Sequence, residues 1–128
     1  MTICFLNVDL RIESQNDLQI LVDELAKHCS LHIHDKNLEG NDFASFSHRS
    51  AFDNYEINRI ISLFCDSIEN LSPKAREIWD SCFTRKLDAG FESGNSPKNF
   101  QSVIRADVVK RVADLSASIA ITIYPIND

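Results

Sequence analysis

Two histidines, His32 and His34, are the residues in this sequence that come nearest to a metal-site pattern. Side chains two positions apart in a strand point to the same side, so both imidazoles would face one way, with His28 or Asp35 near them. No third ligand stands at a matched spacing, and a solvent-facing strand can have the same pattern. We favour the solvent-facing strand, predict no bound metal or cofactor, and leave metal binding by this pair open.

Motifs for nucleophilic catalysis and for phosphate binding are missing. The three glycines, Gly40, Gly90 and Gly94, form neither a GxSxG turn nor a glycine-rich phosphate loop. Asp88 and Glu92 could share the outward side of one strand, but their spacing specifies no acid–base reaction. His48 stands alone and is predicted to be a surface residue. We therefore predict that the chain is not an enzyme and has no catalytic residues.

The four cysteines are spread singly, without a CxxC pair or a zinc-type cluster. A chain of 128 residues can bury one hydrophobic core without disulfides, so we predict four buried thiols in a reducing compartment. The sequence also begins without the pattern of a secretory signal, and it has no apolar run of ~20 residues that could span a bilayer. These features predict a single cytoplasmic domain over residues 1–128 with no membrane partner.

Charge is distributed unevenly along the chain. Up to residue 71 there are twelve Asp and Glu against five Lys and Arg, whereas the remainder has seven against eight. Such a balance predicts an acidic surface for a cationic partner and disfavours nucleic acid, whose phosphates require Lys and Arg. The alternative is that the acidity serves solubility alone.

Hydrophobic periodicity predicts alternating strands and helices. In the first strand Cys4, Leu6, Val8, Leu10 and Ile12 fall on one face. The same reasoning places Phe83 on the apolar face of a later strand. The predicted strands cover 2–12, 31–34, 43–48, 83–92, 100–104 and 119–123, and the predicted helices cover 18–28, 54–71 and 108–115, with another that begins at Ser72.

Both ends of the chain read as strand, helix, strand, and a shift of 90 positions aligns Leu18 with Val108 and Leu25 with Leu115. An internal duplication is one explanation of this match; a shared periodicity is the other. The pattern predicts an α+β fold with a ferredoxin-like sheet of about five or six strands, helices packed on one face, and two extra helices in the middle.

Two segments resemble a group of small bacterial domains. Leu87 to Gly94 is similar to a pattern of the form fDiGfesG, and Leu115 to Pro125 is similar to a closing strand of the form lgasl.itiYP. Leu87 and Ala89 differ from the aromatic and aliphatic residues that are usual there. The group is similar to uncharacterised ferredoxin-like domains, some of which accompany polymorphic toxins, as in contact-dependent growth inhibition, as immunity proteins.

This resemblance implies a cytosolic protein that blocks a cognate toxin by direct contact, and the family offers no shared catalytic residues. Many toxins that attack nucleic acids are basic, so an acidic surface would speed association with them. We therefore expect an immunity protein for a basic, nuclease toxin. The predicted contact residues are acids taken to be exposed, on the loop after the second strand and on the first middle helix: Glu39, Asp42, Asp53, Glu56, Asp66 and Glu69.

Two other functions stay open. Ferredoxin-like domains often pair through their sheets and bind ligands between subunits, so a small-molecule-binding or oligomeric regulatory domain is the main alternative. A metal-assisted enzyme that uses His32 and His34 is the third.

Overall fold

The computed structural model describes residues 2–95 and 99–126, and it has an α+β fold built on one five-stranded mixed sheet. The strand order is β2-β3-β1-β4-β5; neighbours among the first four are antiparallel, and β5 runs parallel to β4. The predicted α+β class is confirmed. In chain order the strands are β1 (Cys4–Ser14), β2 (Cys29–Lys36), β3 (Asp42–His48), β4 (Thr84–Glu92) and β5 (Ser118–Tyr124).

In the described part of the chain four helices accompany the sheet, and two of them lie between β3 and β4, as predicted. The Glu56 carboxylate caps the first of these two by accepting hydrogen bonds from the backbone N–H groups of Asn58 and Arg59. The Ser72 hydroxyl caps the second, which has Pro73 in its first turn. The helices are α1 (Gln19–Leu25), α2 (Ile57–Glu69), α3 (Pro73–Ser81) and α4 (Ala106–Asp114).

All four helices contribute side chains to one core cluster, together with one face of the sheet. We call this side the helix-covered face. Full burial of each large aliphatic or aromatic side chain contributes about 1.5–3 kcal/mol, so this face holds most of the hydrophobic stabilisation. Its residues in the three central strands are Val8, Leu10 and Ile12 of β1, Ala44 and Phe46 of β3, and Leu87, Ala89 and Phe91 of β4.

Polar side chains on the helix-covered side tie α3 to the turn that follows α4. The Trp79 indole N–H donates to the Leu115 carbonyl at 3.0 Å. Arg85 donates through Nε to the Ser116 carbonyl at 2.8 Å and through Nη1 to the Cys82 carbonyl at 2.7 Å. The same Nη1 also lies 3.1 Å from the Trp79 carbonyl. One half-buried guanidinium therefore donates to backbone carbonyls at the ends of both helices.

The strand predicted over 100–104 does not form. Asn58 of α2 is buried, and its Nδ2 donates to the Val103 carbonyl at 2.8 Å while its Oδ1 accepts from the Arg105 N–H at 2.8 Å. This segment thus hydrogen-bonds to a side chain and not to a neighbouring strand, although Phe100 still packs on Phe91 with ring centroids 5.7 Å apart. Alternating apolar residues alone could not reveal that difference.

A β-bulge between Phe5 and Asn7 breaks the alternation predicted for β1. The extra residue leaves Leu6 38% exposed, and Cys4 is also exposed, so neither joins Val8 in the core. Phe83 was predicted on the apolar face as well, but it lies just before β4 and is 55% exposed.

Three of the four cysteines are buried free thiols, whereas Cys4 is exposed, which corrects the prediction of four buried thiols. Burial raises the pKa of Cys29 to about 12 and the pKa values of Cys65 and Cys82 to about 11. These three thiols are therefore poor nucleophiles.

Among the described residues, no helix combines the length and the apolar character that crossing a membrane requires.

Candidate functional site

The side of the sheet opposite the helices carries the alternate residues of every strand, and these remain partly or fully exposed. We call this side the open face. Because no packing against a helix fixes these residue types, their chemistry is free to serve a partner. The open face consists of Asn7, Asp9, Arg11, Glu13, Ser30, His32, Ile33, Asp35, Phe43, Ser45, Ser47, Thr84, Lys86, Asp88, Gly90, Glu92, Ser118, Ala120, Thr122 and Tyr124.

A row of polar side chains crosses the middle of the open face. Asp9 of β1 and Asp88 of β4 are directly opposite each other in the antiparallel register. On one side, His32 Nε2 lies 3.9 Å from Asp9 Oδ1. On the other, the Thr122 hydroxyl donates to Asp88 Oδ1 at 2.7 Å. We call these four residues the acidic row; its centre is a pair of facing carboxylates.

The position of Asp9 makes its ionisation unfavourable. Burial raises the pKa of the Asp9 carboxyl, and the charge of Asp88 raises it further, whereas His32 partly opposes both effects. Like charges directly opposite in neighbouring strands destabilise a sheet. The acidic row therefore costs the folded state free energy.

Negative charge predominates over the whole open face. Among the described residues it has five carboxylates, on Asp9, Glu13, Asp35, Asp88 and Glu92, against the two cations Arg11 and Lys86. The cations face each other in a neighbouring cross-strand row, and Arg11 also binds Glu13 at 3.1 Å. Among the described residues, neither cation forms an ion pair with Asp9 or Asp88, and the acidic row presents both carboxylates to solvent.

Aromatic rings lie toward both ends of the open face, four residues along the strands from the acidic row: Phe43 pairs with Glu13, and Tyr124 pairs with Glu92. The guanidinium carbon of Arg11 lies over the ring of Phe43 in β3, 4.6 Å from the ring centroid. At the other end Tyr124 lies beside Gly90, where a β-carbon would come within 3.2 Å of the ring. Glycine at this position therefore gives the ring room to lie over the sheet. Aromatic residues are enriched in protein-binding surfaces.

The six predicted contact acids are distributed outside the open face. Glu39 is in the turn before β3, whereas Asp53 and Glu56 follow the other end of that strand. A strand of seven residues places these two groups about 20 Å apart. Asp66 and Glu69 lie on α2, where both bind Arg111 of α4 at 2.7 Å. The six acids do not form one continuous surface.

Two more of these acids, Asp42 and Glu56, have structural partners. Asp42, expected to be exposed, is buried: its carboxylate accepts from the Leu18 N–H at 2.9 Å and lies 3.0 Å from His34 Nε2. Burial raises the pKa of Asp42, but these contacts outweigh it and hold that pKa below its usual value. Burial likewise raises the pKa of Glu56, and its hydrogen bonds to Asn58 and Arg59 lower it by more. Both residues stabilise the fold.

His32 and His34 point to opposite sides of the sheet, which corrects the prediction that they share a face. A β-bulge between Leu31 and Ile33 in the pairing with β3 inserts one residue, so the strict alternation is lost. His32 therefore joins Asp9 on the open face, whereas His34 binds buried Asp42 on the other side. The pair cannot bind one metal ion together.

His48 is buried and does not lie on the surface as predicted. Its Nε2 lies 3.1 Å from the Ser67 hydroxyl of α2, and its Nδ1 accepts from the Ser50 N–H at 3.2 Å. Burial lowers the pKa of His48, and the charge of His28 lowers it further, against an opposing effect of Asp66. The imidazole is a neutral link between β3 and α2.

Across residues 2–95 and 99–126, no three His, Cys, Asp or Glu side chains are grouped to hold a metal ion. Sequence periodicity alone placed Asp9 on the polar side of β1, and it placed Asp88 and Glu92 together. The register that brings Asp9 opposite Asp88, and His32 beside it, depends on long-range pairing and on a bulge that no local pattern marks.

Comparisons with protein-family models, with curated proteins and with solved structures found no significant match. The resemblance to immunity-type domains therefore remains a prediction that rests on the residues quoted for it.

Proposed function

We propose that this chain is a non-catalytic immunity protein that binds and neutralises a cognate basic toxin, a nuclease, in the cytoplasm, and that it binds through the open face. The observation that carries this proposal is the pair of facing carboxylates, Asp9 and Asp88, at the centre of that face. A positively charged group of a partner would lie between the two carboxylates, offset their mutual repulsion and be attracted by both.

The cost of the acidic row supports a binding role. Asp9 has a raised pKa because burial and Asp88 disfavour its charge. Residues that lower stability without a structural benefit are found where function requires them. Asp42 and Glu56, in contrast, have hydrogen bonds that lower their pKa values.

The chemistry of the acidic row suits a guanidinium group. An arginine fork can donate to two carboxylates at once, and such charge-assisted bonds are stronger than neutral ones. Thr122 donates to Asp88 Oδ1 and thereby holds that carboxylate in place. Phe43 and Tyr124 add aromatic surface toward both ends of the open face. An acidic surface would also steer a basic toxin and compete with the phosphates of its substrate.

We also propose that the first four strands form a ferredoxin-like unit. The chain order β1-α1-β2-β3-α2-α3-β4, the sheet order β2-β3-β1-β4 and the antiparallel pairing of these strands support it. On this view α3 is an insertion, and α4 with β5 extends the sheet at one edge.

The test compares two double variants that remove the same number of charges. Asp9→Asn with Asp88→Asn changes the acidic row; Glu39→Gln with Asp53→Asn changes two exposed acids from the earlier set of six. The probe is the purified, catalytically inactivated toxin encoded by the adjacent gene, and affinity is measured by calorimetry. We expect the open-face variant to bind at least tenfold more weakly, about 1.4 kcal/mol, and the control to bind within about twofold of the parent.

Each other outcome has a defined meaning. An equal loss of affinity in both variants would assign the effect to overall charge. A loss of affinity in the control alone would indicate that the toxin binds to the six acids predicted from the sequence. The immunity proposal fails if the purified folded chain forms no complex with that toxin and does not inhibit it.

A small-molecule-binding or oligomeric regulatory domain remains the alternative, because an apolar groove of about 280 Å³ opens beside β5. Ile57, Phe91, Phe100 and Ile121 are among the residues that line it. This volume is near the lower limit for ligand sites. A rise in Tm with a small apolar ligand, lost in Phe100→Ala, would favour this function.

A further inference from the structure

The outer edge of β5 lacks the features that usually prevent one strand edge from pairing with another. Ser118–Tyr124 contains no charged residue and no proline, and its register with β4 has no bulge. Natural edge strands are normally protected by one of these devices. The other edge strand, β2, has a bulge and the charged residues Asp35 and Lys36. The β5 edge is therefore suited to pairing.

The hydrogen-bonding groups at this edge can be assigned residue by residue. The Tyr124 carbonyl accepts from the Ser93 N–H, which continues β4, so the backbone groups of Tyr124 point inward. Backbone groups alternate in direction along a strand. Those of Ile119, Ile121 and Ile123 therefore point outward, and among the described residues they have no backbone hydrogen-bond partner on that side.

We propose that β5 pairs antiparallel with β5 of a second copy of this chain, about a two-fold axis at Ile121. Ile121 is the middle residue of the strand, so this register pairs Ile121 with itself and Ile119 with Ile123. All these residues have outward backbone groups, and directly opposed residues of this kind exchange both of their hydrogen bonds. The two sheets then join into one, with both open faces on the same side.

The side chains are compatible with this self-pairing. On the open side Ala120 meets Thr122 and Ser118 meets Tyr124; on the other side the isoleucines meet one another. A charged residue in a self-paired strand would come close to the same charge in the second copy, but β5 has no charged residue. Ile121 is 54% exposed and Ile123 is 60% exposed in the single chain, so both would gain burial.

Helix α4 extends the apolar strip above this edge. Val108 and Val112 point to the core, and Arg111 points to α2, where it binds Glu69. At 3.6 residues per turn, Val109 and Ala113 lie on the flank of α4 away from α2, which is the β5 side. Val109 is 44% exposed. The added area matters because a stable interface buries about 800 Å² per partner.

The first test measures solution mass by light scattering over a wide range of protein concentration. We expect twice the chain mass of 14.5 kDa for the parent. Ile121→Lys places like charges at the axis and should yield a folded monomer. Ile33→Lys is the matched control, since Ile33 is a 43% exposed isoleucine on the opposite edge strand, and it should stay dimeric. A parent that is monomeric at several hundred micromolar overturns the proposal.

The second test fixes the register, with Cys4→Ser as the background because Cys4 is the exposed native thiol. In Ile121→Cys the two new thiols face each other with Cα atoms about 5.5 Å apart, within disulfide range. Added diamide takes up the two electrons and two protons, and a covalent dimer is expected. In Ile123→Cys the same atoms are about 14 Å apart and should not cross-link.

The pairing proposed here goes beyond the immunity function and does not depend on it, because both tests use the chain alone. Cross-linking of Ile123→Cys with no cross-linking of Ile121→Cys contradicts the register. A monomeric parent that binds an isolated β-strand peptide at this edge contradicts self-pairing as well.

Discussion

The two faces of the sheet are made from the same strands, yet they differ in what determines their residues. On the helix-covered face Phe46 is fully buried in the core, whereas Phe43, three residues earlier in β3, lies on the open face under Arg11. The first position is fixed by packing. The second lies on the same face as the acidic row, which lowers stability. The alternation of side chains along each strand therefore separates residues that the core requires from residues that no packing constrains.

The largest expected effect is the loss of Phe46. Phe46→Ala should lower the free energy of unfolding by about 3–5 kcal/mol because it leaves a cavity in the core. Phe43→Ala is the matched open-face change, and it should cost about 1 kcal/mol or less. Denaturant unfolding of both variants measures the difference. Equal costs would contradict the division of the two faces.

Arg85 tests whether polar groups on the helix-covered side also stabilise the fold. Arg85→Ala removes the donors to the carbonyls of Cys82 and Ser116, and it should cost about 1–3 kcal/mol. Arg85→Lys should recover only part of this, since one ammonium cannot reach both helix ends. Urea denaturation compares the two variants. A full recovery by lysine would show that charge alone matters here.

His48 should give a smaller effect that depends on pH. Because its pKa is lowered in the folded state, the unfolded chain binds more protons below about pH 6.5. The contribution of neutral His48 to the free energy of unfolding is therefore complete above that pH. It declines as the pH falls toward the folded-state pKa, by at most about 1.4 kcal/mol per pH unit. The stability difference between the parent and His48→Gln, measured by denaturation at several pH values, should shrink on acidification. A difference that does not change would place the imidazole in a solvent-like setting.

The smallest expected effect has the opposite sign. Asp9→Asn should raise the free energy of unfolding by about 0.2–1 kcal/mol at neutral pH, because it removes one of two opposed like charges. A raised carboxyl pKa means that the penalty develops as the pH rises above about 3.8, so the gain should vanish in acid. Glu39→Gln, in the exposed turn, is the control and should change stability little. A loss of stability in Asp9→Asn would remove the evidence that this residue is costly.

Local patterns were sufficient to predict the α+β class and most elements. Apolar residues such as Leu10 and Ile12 alternate with polar residues in β1, and α2 has a strong apolar stripe. They failed where long-range contacts decide. The bulge in β2 separates His32 from His34, and the side chain of buried Asn58 replaces a strand partner for Val103. Asp42 illustrates the same limit: its position in a turn predicted exposure, whereas the Leu18 N–H and His34 fix it inside. The acidic row could not be predicted in this way, because its four residues come from four different strands.

Because the four thiols differ in solvent accessibility, their reaction with a thiol reagent can report local unfolding of the protein. A thiol reagent should modify Cys4 rapidly in the native protein, whereas Cys29, Cys65 and Cys82 combine burial with raised pKa values. These three lie at the start of β2, within α2 and at the end of α3. Their separate labelling rates would therefore distinguish transient detachment of one element from unfolding of the whole chain.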